Sequence, residues 1–298
     1  MATAAEALAQ PRASLSERFI RFWNKYLLFV YTGGAIIYLM APVAVMILFS
    51  FNDPAGKSNF VWQGFTLKAW LDPFGVAGLE SAVQISIVIA LLSTLVATVL
   101  GTLIALAIER HDFRGRATTN LFIFLPMATP EIVLGASLLT LFVAIAAPPF
   151  FPLSAITILI AHIMFNISFV VVTVRARLAG FPIHLEEAAM DLGANELTTF
   201  RKVTFPLILP GVLAAALLAF SLSIDDFVIT NFTSGATVTF PMFIYAKARI
   251  GIPPQVNVIG TIIFLTAVLL VAVSTVASRR RAMRDETIAR RYAAAERS

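Results

Sequence analysis

The polar positions of this chain are gathered into a few clusters, separated by apolar runs long enough to cross a lipid bilayer. A membrane helix needs about 20 mostly apolar residues, because the hydrocarbon core is about 30 Å thick and each residue adds about 1.5 Å. An uncharged run containing LLFVYTGGAIIYLMAPVAVMILF lies between Lys25 and Asp53 and predicts span one. The run SAVQISIVIALLSTLVATVLGTLIALAI between Glu80 and Glu109 predicts span two. Between Arg116 and Arg175 the only charge is Glu131, and this run is too long for one helix. Pro148, Pro149 and Pro152 lack the N–H donors of a helix interior, so they mark the turn between spans three and four. Lys202 to Asp225 encloses span five, and Arg249 to Arg279 encloses span six, starting after Pro253 and Pro254. The expected fold is therefore an all-α polytopic membrane protein of six transmembrane helices. An N-terminal arm covers residues 1–26, the membrane domain 27–278 and a basic tail 279–298.

Composition agrees with this pattern. The chain is 59% hydrophobic and 13% charged, whereas soluble domains average about 25% charged residues. The first apolar run exceeds the usual signal-peptide core of about 7 to 15 residues and no clear small-residue cleavage site follows it, so it reads as a retained span. The absence of cysteine excludes disulfides and thiolate metal sites.

The net charge of +5 carries information through its distribution. Eighteen of the 22 Lys and Arg fall on one set of alternate flanks: the N-terminal arm, the loops after spans two and four, and the tail. Only Lys57, Lys68, Lys247 and Arg249 lie on the other side. The positive-inside rule then places both termini in the cytoplasm. A basic excess split among four flanks is a topology signal, and nucleic-acid binding is set aside.

One cytoplasmic segment stands apart. Residues 186–206, EEAAMDLGANELTTFRKVTFP, hold four acids and two bases between two apolar runs. Pro182 suits a helix first turn, and Glu186 and Glu187 sit near the favourable N-terminal dipole. Ala188, Ala189 and Leu192 form a small apolar face, and Gly193 fits the left-handed residue that ends a helix. Asn195 can cap a second helix, with Glu196 in its first turn, that runs through Phe200 into span five at Pro206. A low face of alanines rimmed by acids suits a groove on another protein. A helix lying on lipid headgroups would instead be rich in Lys, Arg and large aromatics.

The segment resembles the EAA signature of ATP-binding-cassette importer permeases: Glu-Ala-Ala, three residues, Gly, nine residues, then Ile-x-Leu-Pro. It matches at Glu187, Ala188, Ala189, Gly193 and Val203-Thr204-Phe205-Pro206, with Val203 and Phe205 replacing Ile and Leu. Six spans with this signature between four and five resemble a type I importer permease. SLSIDDFVITNFTSG and LPMATPEIVLG look closer still to the spermidine/putrescine permeases, in particular their second permease subunit. The resemblance implies a bacterial inner-membrane transport subunit that forms half of a polyamine pathway. It implies a coupling segment, residues 182–206, in which Glu186, Glu187, Ala188, Ala189, Asp191, Gly193 and Pro206 meet an ATPase dimer. It also implies a second permease subunit and an extracytoplasmic binding protein as partners. No GxxxxGK[ST] phosphate loop occurs in the chain, so it is expected to be a transport subunit without enzymatic activity or cofactor of its own, with ATP and magnesium bound by the partner ATPase.

Three acids sit at or near membrane depth, where charge is costly and suggests function. Asp225 lies 19 residues beyond Pro206, about 28 Å along a helix, at the outer mouth. Asp226 follows it, and Glu131 falls near the middle of span three, just after Pro126 and Pro130, which are expected to interrupt that helix. Glu131, Asp225 and Asp226 are thus the candidate substrate-pathway residues, suited to a cationic cargo. Against this, Asp225 or Asp226 can cap a following short helix or pair with Lys247 or Arg249. His111, His162 and His184 lack ligand spacing, so no metal site is expected, and His162 with Asn166 reads as an interhelical hydrogen-bonding pair. Gly33, Gly34 and Gly101 read as helix-packing positions. Other readings keep the machine but change the cargo to another organic cation, an opine or a phosphonate, or replace it with an ion-coupled secondary transporter.

Overall fold

A computed structural model describes residues 15–56, 58–145 and 152–295. Its elements are helices: α1 (Leu15–Phe49), α2 (Lys68–Leu71), α3 (Leu79–Arg110), α4 (Arg116–Ala128), α5 (Glu131–Ile145) and α6 (Ala155–Leu178). There follow α7 (His184–Asp191), α8 (Glu196–Thr199), a π-helical turn (Phe200–Thr204), α9 (Phe205–Ile224), α10 (Val228–Thr233), α11 (Phe240–Ala248) and α12 (Pro254–Ala295). Among the described residues, five helices are long and apolar enough to cross a membrane: Tyr26–Phe49 within α1, α3, α6, Glu196–Ile224 through α9, and Pro254–Val273 within α12.

The sixth crossing predicted from the sequence is interrupted in the structure, as the prolines near Glu131 imply. It is a pair of short helices, α4 and α5, bent by 110° where they meet. At 13 and 15 residues, each is about 20 Å long, too short to cross a bilayer alone. Pro126 does not break the helix, since it lies inside α4. The break falls at Thr129, whose backbone is extended (φ −82°, ψ 131°) because the ring of Pro130 disfavours the helical region for the residue before it. The expected turn at Pro148 and Pro149 lies outside the described residues.

The chain divides into two compact units. In Phe74–Ile252, α3, α6 and α9 pack on one another around a core that includes Ala97, Ala105, Val170, Val174, Val212, Ala215 and Ala219. Small residues recurring every three or four positions let the backbones approach. Gly101 shows how closely: a Cβ there would lie 2.6 Å from Val170 Cγ1. The second half of the broken span packs on α10 in the same manner, with Gly135 directly beneath the ring of Phe232.

The other unit joins the described parts of Met1–Pro73 and Pro253–Ser298, and in it α1 packs on α12. Its loop is built on the buried Asn52, whose amide donates to Asn59 Oδ1 (2.6 Å) and Val61 O (2.8 Å) and accepts from Gln63 N (2.8 Å). Phe51 stacks between Phe65 and Trp70. Gly33 and Gly34 face open space, unlike Gly101. The helix α12 continues as far as Ala295, so residues 279–295 extend the last span as helix.

Candidate functional site

Two places in Phe74–Ile252 bring together polar side chains that the sequence scatters. The first is the segment between α6 and α9. Its local rules act as expected: Gly193 has φ +88°, and the Asn195 side chain accepts from Thr198 N at 2.8 Å to start α8. Chain entry into α9 runs through the π-helical turn, with Pro206 in the first turn of that helix. No residue of α7 is buried. Glu187, Ala188 and Asp191 are exposed, Ala189 is half-buried, and Leu192 is 90% exposed at the tip. This surface offers a small apolar patch with acids around it, uncovered by any of the described residues.

Glu186 is different. It turns inward, and its Oε1 accepts from Arg110 Nη2 at 2.7 Å and from the Thr204 hydroxyl. The Arg110 guanidinium also lies over the ring of Phe181, 4.9 Å from its centroid. Next to it, Glu109 Oε2 accepts from Arg175 Nε at 3.2 Å, and Arg175 Nη1 donates to Asn120 Oδ1 at 2.9 Å. A cavity of about 450 Å³ opens beside this pair, lined in part by Phe124, Val172 and Ala179. Arg177 reaches α9 and donates to Leu207 O from Nε (3.3 Å) and Nη2 (3.1 Å).

The second place is the far end of α9. Asp226 is held on several sides: Oδ2 accepts from the Thr230 hydroxyl (2.7 Å) and Thr230 N (2.8 Å), and Oδ1 from Ile229 N (3.3 Å), so it caps α10. His162 Nε2 is 3.2 Å from the same Oδ2, with side-chain exposures of 4% and 7%. The other ring nitrogen bonds Ser223 Oγ (2.6 Å), which in turn bonds Ser93 Oγ (2.9 Å). Four helices, α3, α6, α9 and α10, meet in this chain of bonds. One turn along α6, Asn166 is buried with neither amide atom bonded.

Asp225 has none of this support. It is exposed and makes no ion pair among the described residues. Glu131, also exposed and unpaired, is close enough for its charge to act on Asp225, as does that of Asp226. The sequence put Glu131 and Asp225 at different depths. The bend at Thr129–Pro130 and the packing of α5 on α10 put them within range of each other's charge. The bases considered as partners are engaged elsewhere: Lys247 lies over Phe243, and Arg249 over Tyr245 with a 2.6 Å bond to its hydroxyl.

Residues 97–283 match the family described as "binding-protein-dependent transport system inner membrane component". The chain belongs to that family. The permease is 38% identical to the "Spermidine/putrescine transport system permease protein PotC" of Escherichia coli (strain K12) over 243 residues, covering 81% of this chain and 90% of that one. It is 36% identical to the "Putrescine transport system permease protein PotI" of the same organism over 230 residues, 76% of this chain and 81% of the relative. Its fold is similar to that of a bacterial ABC transporter involved in the import of the acidic polysaccharide alginate, with a TM-score of 0.66 at 16% identity over 89% of this chain and 99% of that one. The permease is thus a transport component rather than an enzyme. The alginate system, whose cargo is acidic, shows that this fold by itself leaves the cargo's charge open.

The inward turn of Glu186 and the His162–Asp226 bond were beyond reach of the sequence reading. The sequence points to their surroundings: Asp226 takes the cap considered for the aspartate pair, and His162 bonds between helices as expected, whereas Asn166 does not.

Proposed function

We propose that the permease forms half of the translocation pathway of an ATP-driven importer for polyamines such as spermidine and putrescine. The observation that carries the cargo class is the pair Asp225 and Glu131, two carboxylates within range of each other's charge and without a basic partner among the described residues. Carboxylates brought close repel each other, and a cation placed between them relieves that repulsion. A polyamine supplies ammonium groups for this role. Asp226 is the positioning member of the trio: His162 and Thr230 occupy it, and it holds the start of α10 beside Asp225. The names of the relatives support the same cargo.

In this reading both termini face the cytoplasm, α7 and α8 lie on that side, and their uncovered surface docks one subunit of an ATPase dimer. A second permease subunit completes the pathway, and an extracytoplasmic binding protein delivers the cargo. Reconstitution in liposomes tests it. The complete set of subunits takes up spermidine only with ATP, and alginate oligosaccharides fail to compete. Uptake by the permease without an ATPase, or preference for an anionic cargo, contradicts the proposal.

A further inference from the structure

We propose that Glu109 and Arg110, the last two residues of α3, form a junction through which movement of the α7–α8 segment reaches the membrane helices. The proposal rests on the reading that α7–α8 docks the ATPase, and it adds how this chain receives the motion. Continuity of the backbone links α7 only to α6 before it and, through α8, to α9 after it. The side chains add a third connection, to a helix that is more than 70 residues away in sequence.

That connection is Glu186. On α7 the other acids, Glu187 and Asp191, face outward, and only Glu186 points toward the bundle. It bonds Arg110 at the end of α3 and the hydroxyl of Thr204, a buried residue in the π-helical turn that leads into α9. Side-chain exposures of 20% for Arg110 and 15% for Glu186 place the pair where water screens it only partly. A π-helical turn carries one residue more per hydrogen-bonded ring than the α-helix and is found at functional bends. Here it ends at the residue that bonds Glu186.

The neighbouring Glu109 points about 100° around α3 from Arg110, and it binds Arg175 of α6, which binds Asn120 of α4. Two adjacent residues therefore tie one helix end to four other elements: Arg110 to α7 and, through Glu186, to the turn before α9, and Glu109 to α6 and, through Arg175, to α4. A displacement of α7 acts on α3 by a charge-assisted bond as well as on α9 by the chain. Packed helices respond by moving together, because a close-packed interior transmits strain. Glu186 and Arg110 are positioning residues in this scheme and need not touch cargo or ATP.

The test uses the complete importer in liposomes, read as cargo moved per ATP hydrolysed, with ATPase co-purification as the measure of assembly. Glu186→Gln and Arg110→Gln each lower the cargo-to-ATP ratio by threefold or more while the ATPase co-purifies normally. The exchange Arg110→Glu with Glu186→Arg restores at least half of the ratio. Because the chain has no cysteine, Leu192→Cys supplies a single crosslinking site at the exposed tip, and its crosslink to the ATPase reports docking independently of coupling. A wild-type ratio in both single variants with the crosslink intact overturns the junction and leaves docking standing. Loss of co-purification in the single variants, unrepaired by the exchange, assigns the pair to assembly and also overturns it. Absence of the Leu192→Cys crosslink overturns both readings.

Discussion

At the α3 end of the bundle each acid that turns inward is answered by an arginine, Glu109 by Arg175 and Glu186 by Arg110. At the opposite end of α9, Asp226 is answered by a histidine and three further donors, while Asp225 beside it and Glu131 have no ion-pair partner among the described residues. The two regions use the same side chains for different work. A paired, half-buried carboxylate fixes the distance between two helices. An unpaired carboxylate near another one is a vacancy for positive charge. On the two proposals above, Glu186 serves transmission and Asp225 the cargo, although in the sequence both look alike, an acid beside an acid.

The sharpest way to break this division is to disturb the acid that the structure holds. His162→Leu removes the imidazole that lies 3.2 Å from the buried Asp226 carboxylate, and leaving a buried polar group short of a partner costs about 1 to 3 kcal/mol. Thermal unfolding of the detergent-solubilised complex is expected to show a clearly lowered midpoint for His162→Leu and for Asp226→Leu. The double variant should lose less than the two together, because a buried pair exchanged for apolar side chains often costs little. Asp225→Asn is expected to leave the midpoint where it is. Equal destabilisation by Asp225→Asn and His162→Leu would erase the distinction between the two aspartates.

A smaller effect sharpens the other region. Gly193 has φ +88°, which proline, fixed near −65°, does not adopt. Gly193→Pro and Glu187→Arg change only the exposed segment, so membrane insertion is retained. Uptake per ATP hydrolysed is expected to fall about tenfold, the equivalent of about 1.4 kcal/mol. Normal coupling in both variants would show that the exposed face of α7 carries no motion.

What could be read in advance follows the range of the forces involved. The helix, turn and helix of residues 184–206 were legible because their determinants are local: Gly193 for the left-handed turn, Asn195 for the cap and Pro206 for the start of α9. Apolar run lengths were equally legible, and five of the spans form as single helices. The broken span was half visible. Two prolines announced an interruption, but the choice of Thr129–Pro130 over Pro126, and a bend of 110°, depend on what α5 packs against. Contacts made at long range were not legible at all. Nothing local distinguishes Glu186 from Glu187, yet one lies against Arg110, 76 positions earlier, and the other faces outward. In the same way, nothing in DDF marks Asp226 as the held residue until α6 brings His162 alongside.

The measurement that bears most directly on the account is spermidine uptake by the complete reconstituted importer carrying Asp225→Asn, Glu131→Gln, or both, counted per assembled complex. Two unit charges about 4 Å apart attract by about 4 kcal/mol at an effective dielectric of 20, before desolvation is subtracted. If a quarter of that survives, each variant slows uptake about fivefold at tenfold per 1.4 kcal/mol, and the double variant slows it further, with assembly and thermal midpoint unchanged. Wild-type uptake per complex in all three variants would contradict the account, because the unpaired acids would then have no part in moving the cargo.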